Sequence, residues 1–121
     1  MKKIQVAVND ANFLRQLKAL FLPLEYELVM IKLEQFIAEA DLSETELLII
    51  DPMLAEIGIA SGLIDTLKSR NATSRIPILL CSSHDNNDAI VTCMNAGASD
   101  FILLPSPSRL IKTRVQALLD K

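Results

Sequence analysis

The sequence predicts an α/β domain with a parallel sheet covered by helices on both faces. Three observations point there. Short, continuously apolar runs such as Leu47-Leu48-Ile49-Ile50 read as strands buried on both sides. Segments with apolar residues at helical spacing alternate with these runs. The connections are short, which favours βα units joined by right-handed crossovers.

In chain order, Ile4–Val8 is the first strand, stopping at Asn9-Asp10. Asn12 or Asp10 can cap a helix to about Phe21, with Leu14, Leu17, Leu20 and Phe21 inward. Pro23 prevents its continuation. Tyr26–Met30 is a second strand, placed at an edge, and a second helix is expected over about Leu33–Ala40. Leu47–Ile50 is the third strand. Pro52 holds Asp51 out of the helical region and ends that strand. A long apolar connection leads to a third helix opened by Ser61 or Gly62 and ending near Asn71. Ile76–Cys81 is the fourth strand, ending at Ser82-Ser83; Pro77 near its start is tolerated. Negative charge on Asp85 and Asp88 favours the start of a fourth helix, which Ala96-Gly97-Ala98 closes. Phe101–Leu104 is the fifth strand. Ser106-Pro107 matches an N-cap and first helical residue for the last helix, with Leu110, Ile111, Val115, Leu118 and Leu119 inward.

Five βα units suit the flavodoxin-like doubly wound order 2-1-3-4-5. In open α/β sheets ligands bind outside the carboxyl ends of the strands. That order brings Asn9, Asp10, Asp51 and Ser82 to one edge.

Composition narrows the function. The chain has 121 residues, half of them hydrophobic, with a net charge of -3 and no basic cluster. One domain over residues 1–121 is expected, with no nucleic-acid binding of its own. No apolar run approaches the roughly 18 residues of a membrane span, and Met1-Lys2-Lys3 leads straight into a strand rather than a signal peptide. Cys81 and Cys93 lack metal spacing and read as buried reduced thiols. A cytoplasmic location is expected.

The strand-end residues resemble those of bacterial response-regulator receiver domains over almost the whole chain. Asn9-Asp10 stands where the family has its acidic pair, and Ile49-Ile50-Asp51 where it has the phosphoacceptor. Ser82 stands at the family's Thr or Ser, and Ala96–Pro105 is similar to A-G-A-x-[DG]-[YF]-[LIV]-x-K-P, with Phe101 at the switch aromatic. The resemblance implies an Asp51 that attacks a phosphohistidine or small phosphodonor. It implies Mg²⁺ on Asp10, Asp51 and the Met53 carbonyl, with Asn9 only through water. It implies a phosphoryl contact from Ser82, a cis bond at Leu104–Pro105, and protein partners: a histidine kinase or a downstream target. A homodimer could form through the fourth helix, fifth strand and last helix, with at least one of Ile90, Val91 and Met94 exposed.

Three departures qualify this. Asn9 replaces an acid, and Leu104 replaces the family lysine. Leu54-Ala55 replaces the family Met-Pro, with the next suitable glycine, Gly62, about three residues late. The first two cancel in formal charge, so Mg²⁺ is not repelled. They remove an oriented acid and a fixed cation, so binding of Mg²⁺ is expected to be weak or absent and phosphorylation weak or absent. The expected function is an atypical receiver acting through protein contacts, enzymatic at most in Mg²⁺-dependent self-phosphorylation and dephosphorylation. A fully active receiver is one alternative. A flavodoxin-like nucleotide or small-ligand domain is another, although Asp10–Phe13 contains no glycine for a phosphate loop.

Each residue also has a structural reading. Asp10 can be only a cap, Ser82 a strand-end hydroxyl, Phe101 a core aromatic and His84 a surface-loop residue. Arg109, Lys112 and Arg114 read as a solvated helix face.

Overall fold

The computed structural model describes residues 2–33, 42–54 and 58–120. Five strands form one parallel sheet: β1 (Lys3–Ala7), β2 (Glu27–Met30), β3 (Thr45–Ile50), β4 (Ile78–Ser82) and β5 (Asp100–Leu103). Their order is β2-β1-β3-β4-β5, as expected. Four helices lie among the described residues: α1 (Ala11–Phe21), α2 (Ile59–Ser69), α3 (Asn87–Ala96) and α4 (Ser108–Leu119). The helix expected over about Leu33–Ala40 falls, apart from Leu33, outside the described residues. None of the described helices is long and apolar enough to cross a membrane.

The continuous apolar runs bury both faces of the sheet. Ile4, Val6, Val8, Leu47, Ile49, Leu79, Cys81, Ile102 and Leu104 pack with Phe13, Leu17 and Phe21 of α1 and with Ile111, Val115 and Leu118 of α4. Ala7, Leu48, Ile50, Ile78 and Leu80 point the other way, onto Ala60, Leu63, Ile64 and Leu67 of α2 and Cys93 of α3. Alternation along each strand thus feeds two cores. One buried polar pair interrupts them: the Gln5 amide donates to Thr45 Oγ1 at 2.9 Å.

Element boundaries shift for local reasons. Asp10, not Asn12, caps α1, its Oδ1 accepting from the Phe13 N–H at 2.9 Å. The cap of α4 is Pro107 rather than Ser106, because the Ser106 hydroxyl turns back to the Leu103 carbonyl at 2.7 Å. Helix α2 begins at Ile59, before the expected Ser61 or Gly62.

Helix α3 closes on Gly97 at φ +126°. A Cβ there would sit 2.7 Å from Lys68 Cγ. That lysine cannot simply swing away, since its ammonium donates to the Ser74 and Ile76 carbonyls at 3.1 and 2.8 Å. Gly97→Ala is therefore expected to cost more than about 1 kcal/mol in urea unfolding, since alanine must occupy a positive φ. In a Lys68→Ala background the steric part of the loss disappears and the backbone part persists. Equal losses in both backgrounds would remove the lysine from the argument.

Candidate functional site

Strand order and register assemble the site. Ala7 pairs with Ile50, and the Asp51 N–H donates to the Ala7 carbonyl at 2.9 Å, so β1 and β3 end side by side. Ile50 pairs with Leu80, which brings Cys81 and Ser82 beside the end of β3. The residues after β1, β3 and β4 therefore share one carboxyl edge. Asn9 is exposed and Asp10 half-buried, whereas Asp51 and Ser82 are buried.

Asp10, Asp51 and Ser82 each already hold backbone. Asp51 Oδ1 accepts from the Met53 N–H at 2.8 Å, which tightens the 3₁₀ turn Pro52–Leu54. Ser82 Oγ accepts from the His84 N–H at 3.1 Å. Asp10 Oδ1 is the α1 cap. The second oxygen of each carboxylate meets no protein donor among the described residues.

Two clefts flank this edge. One, of about 400 Å³, is lined by Asp10, Phe13, Arg15, Gln16, Leu104 and Ser108, among others. The other, of about 610 Å³, is lined by Met53 and residues 83–88. Arg15, Gln16 and Ser108 escaped the sequence reading. The Gln16 amide donates to the Ser106 carbonyl at 2.9 Å and to Ser108 Oγ at 3.1 Å, across about ninety positions of chain. Only an exposed polar stripe on α1 could have hinted at it.

Leu104 points into the α1–α4 core as well as lining the first cleft, and is only 4% exposed. Its bond to Pro105 is cis. Phe101 is half-buried against the α2–α3 core. His84 is exposed. Arg114 is not simply solvated: it bonds Asp100 Oδ1 at 2.9 Å and the Phe101 carbonyl at 3.2 Å. Beyond β4, Val91, Met94, Leu103 and Leu110 are exposed while Ile90 is half-buried.

Among the described residues no group of three or more His, Cys, Asp or Glu side chains is placed to hold a metal ion. Two carboxylates with backbone and water oxygens still match Mg²⁺ chemically, since that ion keeps several waters and commonly takes one or two carboxylates.

A signal receiver domain of a two-component histidine kinase from Clostridium thermocellum superposes with a TM-score of 0.83 at 19% identity, covering 99% of this chain and 98% of that one. A response regulator receiver protein from Pseudoalteromonas atlantica gives 0.78 at 22% identity, covering 98% and 97%. The fold is that of a response-regulator receiver domain. In sequence, the receiver-like chain is 26% identical over 107 residues to the two-component response regulator-like protein APRR3 of Arabidopsis thaliana. That match covers 85% of this chain but spans only 21% of the relative. No family model matches the sequence.

Beside this edge, the buried Cys81 is perturbed. Burial raises its thiol pKa well above the usual 9.0, and the negative charges of Asp51 and Asp100 add to the shift. The unfolded chain therefore loses this proton first. Stability from this group is full below pH 9.0 and falls as pH rises from there toward the raised folded value. Urea midpoints are expected to drop between pH 8 and pH 10 more steeply in the native chain than in Cys81→Ala. Identical slopes would assign the alkaline loss to other groups.

Proposed function

We propose that this chain is an atypical receiver module of a two-component or phosphorelay system. It acts through protein–protein contacts, and Asp51 is its candidate phosphoacceptor. The observation carrying this reading is the buried Asp51 at the end of β3, flanked by the ends of β1 and β4 in a receiver fold. The sequence similarity to a response regulator-like protein supports it.

Phosphoryl transfer would have Asp51 attack the phosphorus of a phosphohistidine or small phosphodonor, the donor's bond breaking as the acyl phosphate forms. Asp10, Asp51 and the Met53 carbonyl would hold Mg²⁺, with Asn9 reaching it through water; the ion would offset repulsion between carboxylate and phosphoryl anion. Ser82 keeps a hydroxyl hydrogen to donate to a phosphoryl oxygen, since its Oγ only accepts from His84. At position 104 a leucine buried among Val8 and Phe13 supplies no charge. Loss of one preorganised electrostatic donor typically costs about 10²–10³ in rate. Weak metal binding and slow or absent phosphorylation follow. Signalling then rests on a conformation held without phosphate, or on partner concentration.

The partner surface we assign lies on α3, β5 and α4, where Val91, Met94, Leu103 and Leu110 are exposed. The partners are signalling proteins, a histidine kinase or a downstream target, and this face could also bind a second copy.

Time-resolved labelling with acetyl phosphate or a cognate kinase, with Mg²⁺, tests the reading. Expected is labelling about 10²–10³ slower than in a lysine-bearing receiver, or none, with any signal lost in Asp51→Asn. Stoichiometric labelling within seconds would mean that the pocket compensates for Asn9 and Leu104. A melting shift with nucleotide or flavin, absent with Mg²⁺ and a phosphate mimic, would favour a ligand-binding domain instead.

A further inference from the structure

Strand β5 is an edge of the sheet. Residues in a parallel strand alternate between bonding one neighbour and facing away from it. The Leu104 N–H donates to the Ser82 carbonyl at 2.8 Å, which sets the phase. Ile102 and Asp100 therefore face β4, while Phe101 and Leu103 direct their backbone groups outward.

Those outward groups are largely occupied by side chains. The Phe101 N–H donates to Asp100 Oδ1 at 2.8 Å. The Phe101 carbonyl accepts from Arg114 at 3.2 Å. Arg114 is held in turn by Asp100 Oδ1 at 2.9 Å. The Leu103 carbonyl accepts from Ser106 Oγ at 2.7 Å. Only the Leu103 N–H faces outward without such a partner among the described residues.

An ion pair this exposed, with side chains 39% and 36% accessible, adds little to folding stability. Its position explains it better. Unpaired edge groups template the addition of another strand, and proteins blunt such edges with charge and short length. Here the strand is four residues long, and an apolar side chain, Leu103, is exposed on it. Without the guard, the edge would offer hydrogen-bonding groups and apolar surface together.

We infer that Asp100, Arg114 and Ser106 form an edge guard that closes β5 to pairing with a β-strand of a second copy of this chain. Contacts at this face are thereby restricted to side chains. A partner reads Val91, Met94, Leu103 and Leu110 without extending the sheet. This inference rests on β5 alone and holds whether or not Asp51 is phosphorylated.

Two measurements test it. In the native chain, amide hydrogen exchange followed by NMR should show the Phe101 N–H exchanging at least tenfold more slowly than the outward Leu103 N–H. Equal rates would overturn the guard without any variant being made. In Asp100→Ala/Arg114→Ala/Ser106→Ala, sedimentation equilibrium of the full chain should show self-association at least tenfold tighter than native. The Phe101 and Leu103 amides should become protected as the variant associates. Association that is unchanged or weaker, or that leaves both amides exchanging freely, would overturn the inference. Weaker association would instead make Arg114 or Asp100 part of a side-chain interface.

Discussion

Burial of the sheet on both faces is the constraint from which the rest of this structure follows. A strand covered by helices on either side can carry almost no polar side chains along its length. Ile49, Ile50, Leu79 and Leu80 are all fully buried. Polar chemistry is thereby displaced to the strand ends. Because the strands are parallel, their carboxyl ends lie together, and Asp51 and Ser82 reach one edge from β3 and β4. Asp10 reaches it from the end of β1. The site is the place where the two-sided core stops.

That edge costs the protein little because its polar groups serve the backbone. Asp10 caps a helix, Asp51 tightens a turn, and Ser82 receives an N–H from the following loop. A buried carboxylate without a donor would be expensive. The same bonds pre-position the oxygens for any chemistry at this edge. Structural and functional readings of these residues are therefore not exclusive. Asp51 can hold Met53 through one oxygen and present the other.

Leu104 shows how core and site compete for one position. In the receiver pattern a lysine there would extend its ammonium to the strand ends. Here the side chain joins Val8 and Phe13 in the core and lines the same cleft as Asp10. The protein gains apolar burial and gives up a fixed cation. Immediately before Leu104, the edge strand β5 shows the converse: polar side chains are committed to the edge, leaving apolar ones exposed around it.

The sequence by itself determined the strands, their parallel pairing and the edge where Asp10, Asp51 and Ser82 meet. Each of those signals is local: an apolar run, a terminating polar residue, a short connection. Tertiary structure decided what depends on distant partners. The choice of Asp10 as cap, the turning of Ser106 toward Leu103, and the Gln16 link to Ser106 and Ser108 all require α1 and α4 to be docked. Arg114 looked solvated because its partners, Asp100 and Phe101, lie thirteen or fourteen positions away in sequence on another element. Helical and strand periodicity say which face is apolar. They do not say which backbone groups at a sheet edge remain unpaired, and that is what fixes the role of the polar residues around β5.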